Sequence, residues 1–280
     1  MTRKAGIVGW PVAHSLSPVL HGYWLEKYGI DGAFERVPAE PGQFEAVIAD
    51  LRAKGFTGVN VTVPHKEAAF ALADKVDAAA KAAGAANLLV LGPAVIEGRN
   101  TDSYGLAQSL RESVGTLAGK DAILLGAGGA ARGAVLALEA LGATSIHILN
   151  RDAVRAQTLA SALASYVNAR LVPGALADWS KVAPGAALAV NSTSAGMGSI
   201  PPLDLDLSAL AGSAVVCDIV YVPLQTKLLK HAAGRGLKTV DGLGMLMHQA
   251  VPSFEAFFGT RPEVDAGLRA RLESELRARG

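Results

Sequence analysis

The chain has a single cysteine, Cys217, only 5% aromatic residues and only 18% charged ones. One cysteine excludes an internal disulfide, and its place in the apolar run Val215-Val216-Cys217 reads as a buried thiol in a reducing compartment. Twenty-six basic residues face 25 acidic ones, a net charge of +1, and no run of Lys and Arg forms a stripe. The electrostatic footprint of a nucleic-acid or membrane-surface partner is therefore missing. An uninterrupted apolar span of about 20 residues is also missing. The most apolar long window, Ala78 to Ile96, is broken by Lys81, Gly84, Asn87 and Pro93. Pro11, His14 and Ser15 interrupt the short apolar stretch behind Arg3 and Lys4, so no signal peptide is read there and a soluble, cytoplasmic protein is expected. Six histidines with one cysteine give no zinc-ligand spacing; His14 and His21 read as loop and helix packing, and no metal is expected. Ser15 and Ser17 lack an evident His and acid partner and the G-x-S-x-G elbow is absent, which excludes a serine hydrolase.

What remains is an apolar chain of 280 residues, longer than one core usually organises, so two domains are expected. Short β-rich runs alternate with helical patterns, the signature of an α/β fold built on parallel sheets. A first series has strands near Ala5–Gly9, Ala33–Val37, Gly58–Val61 and Asn87–Leu91, with helices over Pro18–Tyr28, Gln43–Lys54 and Lys66–Ala83. Gly92-Pro93 reads as the turn of a small hairpin into Val95-Ile96. A second series has strands at Asp121–Leu125, Ser145–Leu149, Arg170–Val172, Ala187–Val190, Val215–Ile219 and Lys238–Val240, with helices at Ala130–Leu141 and Ala153–Ala164. Between the series a helix should start after Asn100-Thr101-Asp102, capped by Thr101 or Asp102, and serve as the bridge.

The strand Asp121–Leu125 runs into Gly126-Ala127-Gly128-Gly129-Ala130-Ala131, where a helix opens. This is G-x-G-x-x-A in a strand-turn-helix setting. Gly126 allows the tight turn, Gly128 lets the backbone approach a pyrophosphate, Ala131 permits close helix packing, and the helix N-terminal amides receive the phosphate charge. The next strand ends at Asn150-Arg151, where an NAD site carries an acid. A neutral amide beside Arg151 and Arg155 suits a 2′-phosphate and favours NADP. Asp152 has two readings: an approach to the ribose of NAD, which keeps NAD as a weaker alternative, or a cap on the helix from Ala153. In the first series, Val59-Asn60-Val61-Thr62-Val63-Pro64-His65-Lys66 puts Asn60 and Thr62 on one strand face and Lys66 at a helix start, where the dipole disfavours a cation. A lysine held by a carboxylate can exchange a proton with a substrate oxygen, and Asp102 is the candidate partner; a helix cap is its other reading.

Together these motifs, with Ser15-Leu16-Ser17-Pro18 and His21, Gly84-Ala85-Ala86-Asn87, Asn191-Ser192-Thr193-Ser194-Ala195-Gly196-Met197, Asp218-Ile219-Val220-Tyr221 and Asp241-Gly242-Leu243-Gly244-Met245-Leu246 with Gln249, resemble the shikimate/quinate dehydrogenase family over nearly the whole chain. The resemblance implies reversible NADPH-dependent reduction of 3-dehydroshikimate to shikimate, on the route to aromatic amino acids. It implies Lys66 and Asp102 as the catalytic pair and Ser15 and Ser17 on the substrate carboxylate. Asn60, Thr62, Asn87, Tyr221 and Gln249 would surround the ring hydroxyls. Gly126, Ala127, Gly128, Gly129, Ala130, Asn150, Arg151, Asp152, Arg155 and Thr193 would meet the dinucleotide, with Ile219, Gly242 and Met245 against its nicotinamide. It also implies two lobes with a cleft between them: residues 1–101 and 241–280 as the substrate-binding, catalytic domain, and 102–240 as a Rossmann-like NADP-binding domain. The last helices would return to the first lobe, and the protein would be a monomer or homodimer working on a small-molecule substrate. The chain departs from the family pattern at Leu88, Asp152 and Val222. A quinate-preferring relative using both NAD and NADP, and a dinucleotide-binding regulator without catalysis, are the other readings; the presence of both Lys66 and Asp102 speaks against the second.

Overall fold

A computed structural model describes residues 2–279 and divides into two compact units, Met1–Thr101 with Gln249–Gly280, and Asp102–His248. Among the described residues no helix is long and apolar enough to cross a membrane.

The first unit begins with β1 (Arg3–Gly9), α1 (Ser17–Tyr28), β2 (Gly32–Pro38), α2 (Phe44–Ala53) and β3 (Phe56–Val61). It continues with α3 (Lys66–Leu72), β4 (Lys75–Val76), α4 (Ala78–Ala83), β5 (Leu88–Leu91) and β6 (Ile96–Arg99). Its sheet runs β2-β1-β3-β5-β6-β4. The β-branched and apolar residues of β1 and β3 are buried, and Val8, Val59 and Leu89 pack with Phe44 and Ile48 of α2 in one core. β1 lies parallel to both β2 and β3, whereas the Gly92-Pro93 hairpin brings β5 and β6 into the sheet antiparallel.

The single helix expected over Lys66–Ala83 is interrupted. Asp74 is the reason on one side: its carboxylate accepts the Ile96 N–H at 2.8 Å and its own N–H donates to the Ile96 carbonyl at 2.9 Å. Asp77 is the reason on the other, accepting the Ala80 N–H at 2.7 Å and capping a new helix, α4. The two aspartates thus exchange helix hydrogen bonds for pairing of β4 with β6.

The second unit contains α5 (Asp102–Val114), β7 (Asp121–Leu125), α6 (Gly129–Ala140), β8 (Ser145–Asn150), α7 (Ala153–Leu163) and β9 (Arg170–Ala175). After a short α8 (Trp179–Val182) come β10 (Ala186–Asn191), β11 (Val215–Asp218), α9 (Lys227–Gly234) and β12 (Lys238–Val240). Its six strands are all parallel in the order β12-β11-β10-β7-β8-β9, the doubly wound order in which connections reverse between β7 and β10. Cys217 is a buried free thiol in β11, and burial pushes its pKa up.

The chain leaves this unit inside a long helix, α10 (Gly242–Phe258), and the division falls at 248/249. Residues 241–248 stay with the second unit for a packing reason. Gly242 lies so close to the Ile219 carbonyl, and Gly244 to Ser109, that a Cβ on either would collide. The last helix, α11 (Ala266–Arg279), packs on α1, where Trp24 Nε1 donates to the Glu263 carbonyl at 2.9 Å and Lys27 pairs with Asp265 at 2.6 Å.

At the centre of the first unit His21 is fully buried, its ring stacked on Phe34 at 3.9 Å, met edge-on by Trp24 and lying nearly parallel to Phe254 at 5.8 Å. Burial lowers its pKa from 6.5 to about 3, and the neighbouring Asn60 offsets this only in part. Between those two values the unfolded chain binds a proton that the folded chain refuses, so stability is full above about pH 6.5 and is lost as pH falls toward 3. The expected loss is roughly 3–5 kcal/mol. Denaturant titrations from pH 7 to pH 4 should show a steeper acid decline for the native protein than for His21→Phe. Parallel stability–pH curves would show that His21 is not responsible.

Candidate active site

In the first unit, the turn between β3 and α3 sets the position of Lys66. His65 is buried, stacks on Phe44 at 4.9 Å and bonds through Nε2 to the Ala39 carbonyl at 2.7 Å. It anchors the first turn of α3, and its carbonyl receives the Ala69 N–H. Lys66 follows as the first residue of α3, half-buried, with its carbonyl accepting the Ala86 N–H at 2.9 Å. Ala86 in turn precedes Asn87, so Lys66 and Asn87 are tied together through one peptide.

Asn87 is itself the centre of a buried amide network. Its Nδ2 donates to Thr101 Oγ1 at 3.0 Å, while its Oδ1 accepts the Thr101 N–H at 2.8 Å. Thr101 Oγ1 also stands 3.4 Å from Gln249 Oε1. The hydroxyl of Thr101 thus faces Asn87 and Gln249 directly before α5, which starts at Asp102. Asn60 donates through Nδ2 to the Asn87 carbonyl at 3.1 Å and to Ser253 Oγ at 2.7 Å, and its Oδ1 has no hydrogen-bond partner among the described residues. Thr62, half-buried, donates its N–H to the Val8 carbonyl at 2.9 Å, and its methyl fills the space that a side chain on Gly9 would need.

Ser15 and Ser17 lie where the loop after β1 enters α1. Ser17 is buried at the helix start, and its N–H donates to Ser15 Oγ at 3.2 Å. Of the residues read as substrate-facing, the first unit thus brings Asn60, Asn87 and Gln249 into one network and holds Ser15 and Ser17 as a separate pair. Tyr221 is half-buried in the loop after β11 of the second unit, as is Asp102 at the head of α5.

In the second unit, Gly126 has φ +107°, a conformation that L side chains avoid, and a Cβ there would stand 2.7 Å from Thr193 Cγ2. Around Gly128 and Gly129 a Cβ would meet nothing, so the exposed edge of the turn, Gly128 to Ala130, is open to a ligand. Ala131 is fully buried beneath it. A cleft of about 310 Å³ adjoins the turn, at the carboxyl ends of β7, β8 and β10, where the strand order reverses. Gly126, Asn150, Arg151 and Thr193 line it. These residues, the open amides of α6 and the absence of an acid on the cleft side of β8 fit a phosphorylated dinucleotide.

Asp152 follows the capping reading: its carboxylate accepts the Val154 N–H at 2.9 Å at the start of α7. Asn150 Nδ2 donates to the Asp152 carbonyl at 2.9 Å, bending the chain away from β8. Arg151 and Arg155 are both exposed, and Arg155 is not among the residues of the cleft wall. Thr193 is oriented by a second buried network. Asn191 Oδ1 accepts both the Thr193 N–H at 3.0 Å and its hydroxyl at 2.7 Å. Asn191 Nδ2 donates to Asp218 at 2.9 Å, and Thr226 Oγ1 donates to the same carboxylate at 2.8 Å. Burial raises the Asp218 pKa against these donors. Ile219 and Gly242 are brought together by the contact described above; Met245 is half-buried one turn further along α10.

Two parts of the site escaped the sequence. The far wall of the cleft, Ile200 to Asp204, has no periodic signal, only the paired prolines 201 and 202. Asn191 and Asp218 stand in separate motifs, but neither motif shows that the two side chains pair or that Thr226 joins them.

A doubly wound sheet with a glycine turn at its switch point defines a dinucleotide-binding protein joined to a second α/β unit. Family comparison is more specific. Residues 7–89 match the shikimate dehydrogenase substrate binding domain, 106–198 the shikimate / quinate 5-dehydrogenase family, and 242–270 the shikimate 5′-dehydrogenase C-terminal domain. A shikimate dehydrogenase (NADP(+)) of Methylobacterium radiotolerans is 50% identical over 280 residues, 98% of each chain. Among solved structures, quinate dehydrogenase from Corynebacterium glutamicum in complex with NAD superposes with a TM-score of 0.90 at 29% identity, covering 98% of this chain and 99% of that one. The ligand-free 5-ketofructose reductase of a Gluconobacter strain gives 0.88 at 29% identity, with the same coverage. The chain belongs to the shikimate dehydrogenase family.

Gly126→Ala should cost about 1–3 kcal/mol of stability and weaken dinucleotide binding, because neither the positive φ nor the Thr193 contact tolerates a methyl group. Thermal melts and cofactor titration check this; an unaltered melt with unaltered binding would refute the assigned fit.

Proposed function

We propose that the protein interconverts 3-dehydroshikimate and shikimate with NADP(H), as the name of its 50%-identical relative suggests. The observation that carries the reading is the cleft at the glycine turn, where Asn150 and Arg151 stand in place of an acid and Asp152 is occupied in capping α7. A 2′-phosphate meets no carboxylate on that wall, and Arg151 offers charge-assisted hydrogen bonds to it. The bound nicotinamide would supply or take up a hydride.

The chain's own part is to hold the substrate and move one proton. Lys66 gives a proton to the carbonyl oxygen as it becomes an alkoxide, and recovers it in the reverse direction. Asp102 is its carboxylate partner. Ser15 and Ser17 take the substrate carboxylate, and Asn60, Thr62, Asn87, Tyr221 and Gln249 the ring hydroxyls. We assign the first unit to the substrate and the second to the cofactor. Similarity in fold to enzymes named for quinate and for a neutral keto sugar shows that this scaffold alone does not choose the ring. The motif residues favour shikimate.

Two variants test the reading. Lys66→Ala should lower kcat for shikimate oxidation by roughly 10²-fold or more with cofactor binding retained; an unchanged kcat removes Lys66 from the mechanism. Arg151→Ala should raise KM for NADP more than for NAD, and equal effects on both would count against phosphate recognition.

A further inference from the structure

Every side chain so far assigned to the substrate carboxylate is neutral. Ser15 and Ser17 offer hydroxyls, and Lys66 is reserved for proton transfer. The loop that carries Ser15 is nevertheless held by two guanidinium groups on successive carbonyls. Arg36, near the end of β2, donates to the Ser15 carbonyl through Nε at 3.2 Å and Nη2 at 2.8 Å. Arg279, near the end of α11, donates to the His14 carbonyl at 2.7 Å.

The two arginines differ in charge balance. Arg279 is paired with Glu275 at 2.9 Å, so its charge is largely compensated. Among the described residues Arg36 makes no ion pair and hydrogen-bonds to that carbonyl alone. A guanidinium fixed on the carbonyl of Ser15 stands roughly 6–8 Å from a carboxylate held by the hydroxyl of the same residue, given ordinary bond lengths and hydrogen-bond distances.

We propose that Arg36 is a specificity-determining residue: its charge, unpaired among the described residues and fixed on the Ser15 carbonyl, selects an anionic ring acid over a neutral polyol at the Ser15–Ser17 pair. Arg36 works at a distance and does not touch the substrate. Its contribution is a Coulomb attraction in a partly solvated setting, weakened by salt, together with the rigidity it gives the Ser15 loop. The inference rests on the substrate reading of the preceding subsection. It accounts for carboxylate preference without placing a second ammonium or guanidinium against the reacting ring, where it would compete with Lys66 for the developing alkoxide.

The test compares shikimate with its neutral carboxamide as substrates for the native protein, Arg36→Gln and Arg36→Lys. Arg36 is exposed, so both variants should fold, and circular dichroism with thermal melts verifies this. Native turnover of shikimate tests the substrate reading independently of Arg36. In Arg36→Gln the ratio of kcat/KM for carboxylate over carboxamide should fall roughly 3- to 10-fold, through KM for the acid, the scale of a screened unit charge at that separation. Arg36→Lys, which keeps the charge and loses the forked hydrogen bonds, should hold the ratio within about 2-fold of the native value. The preference should also decline as salt is raised in the native protein and stay flat in Arg36→Gln. Equal losses for acid and amide, or equal impairment by Gln and Lys, would reduce Arg36 to a loop anchor and overturn the proposal.

Discussion

The reciprocal hydrogen bonds between Asn87 and Thr101 are the constraint on which the first unit's site depends. One amide side chain satisfies the hydroxyl and the backbone N–H of a residue 14 positions away, fixing the end of β6 beside the start of β5. The neighbouring peptide carries the rest: Ala86 holds the Lys66 carbonyl, and the Asn87 carbonyl receives Asn60. Thr101 then meets Gln249 from α10. In a buried setting each such bond contributes only about 1 kcal/mol net, yet leaving one partner unmatched costs about 1–3 kcal/mol. That asymmetry couples the bonds of the network and holds the backbone of Lys66 at the start of α3.

The second unit solves the same problem around a buried charge. Asp218 is taken wholly out of water, and Asn191, Thr226 and the Val220 N–H satisfy it at 2.9, 2.8 and 3.1 Å. Through Asn191 it orients Thr193, and Thr193 packs where Gly126 lacks a side chain. The chain's low charge content acquires a positive meaning here. Neutral amides and hydroxyls build the first frame and surround the one carboxylate, Asp218, at the centre of the second.

Legibility followed sequence distance. The turn Gly126 to Ala131 could be read because its requirements, a positive φ, an open edge and a small buried residue, are local. Asn150 and Arg151 could be read as cleft residues, and Lys66 as the start of a helix, from their positions at element ends. The break between α3 and α4 could not, because besides the local cap of Asp77 on Ala80 it needs bonds to Asp74 and Asp77 from Ile96 and Asn100, more than 20 residues on. Nor could the occupation of the Asn60 and Asn87 amides: a side chain facing a ligand and one bonded to Thr101 or Ser253 look identical in a motif. Arg36 was invisible for the same reason, since an exposed arginine on an outer strand carries no sign that it grips a carbonyl 21 positions earlier.

A steady-state matrix of shikimate and quinate against NADP and NAD tests the functional reading most directly. Shikimate with NADP should give the highest kcat/KM, because the Asn150–Arg151 wall has no acid for the ribose of NAD and because Ser15, Ser17 and Thr62 are the residues proposed above to frame the shikimate ring. Highest turnover with quinate and NAD, or turnover with no combination, would contradict it.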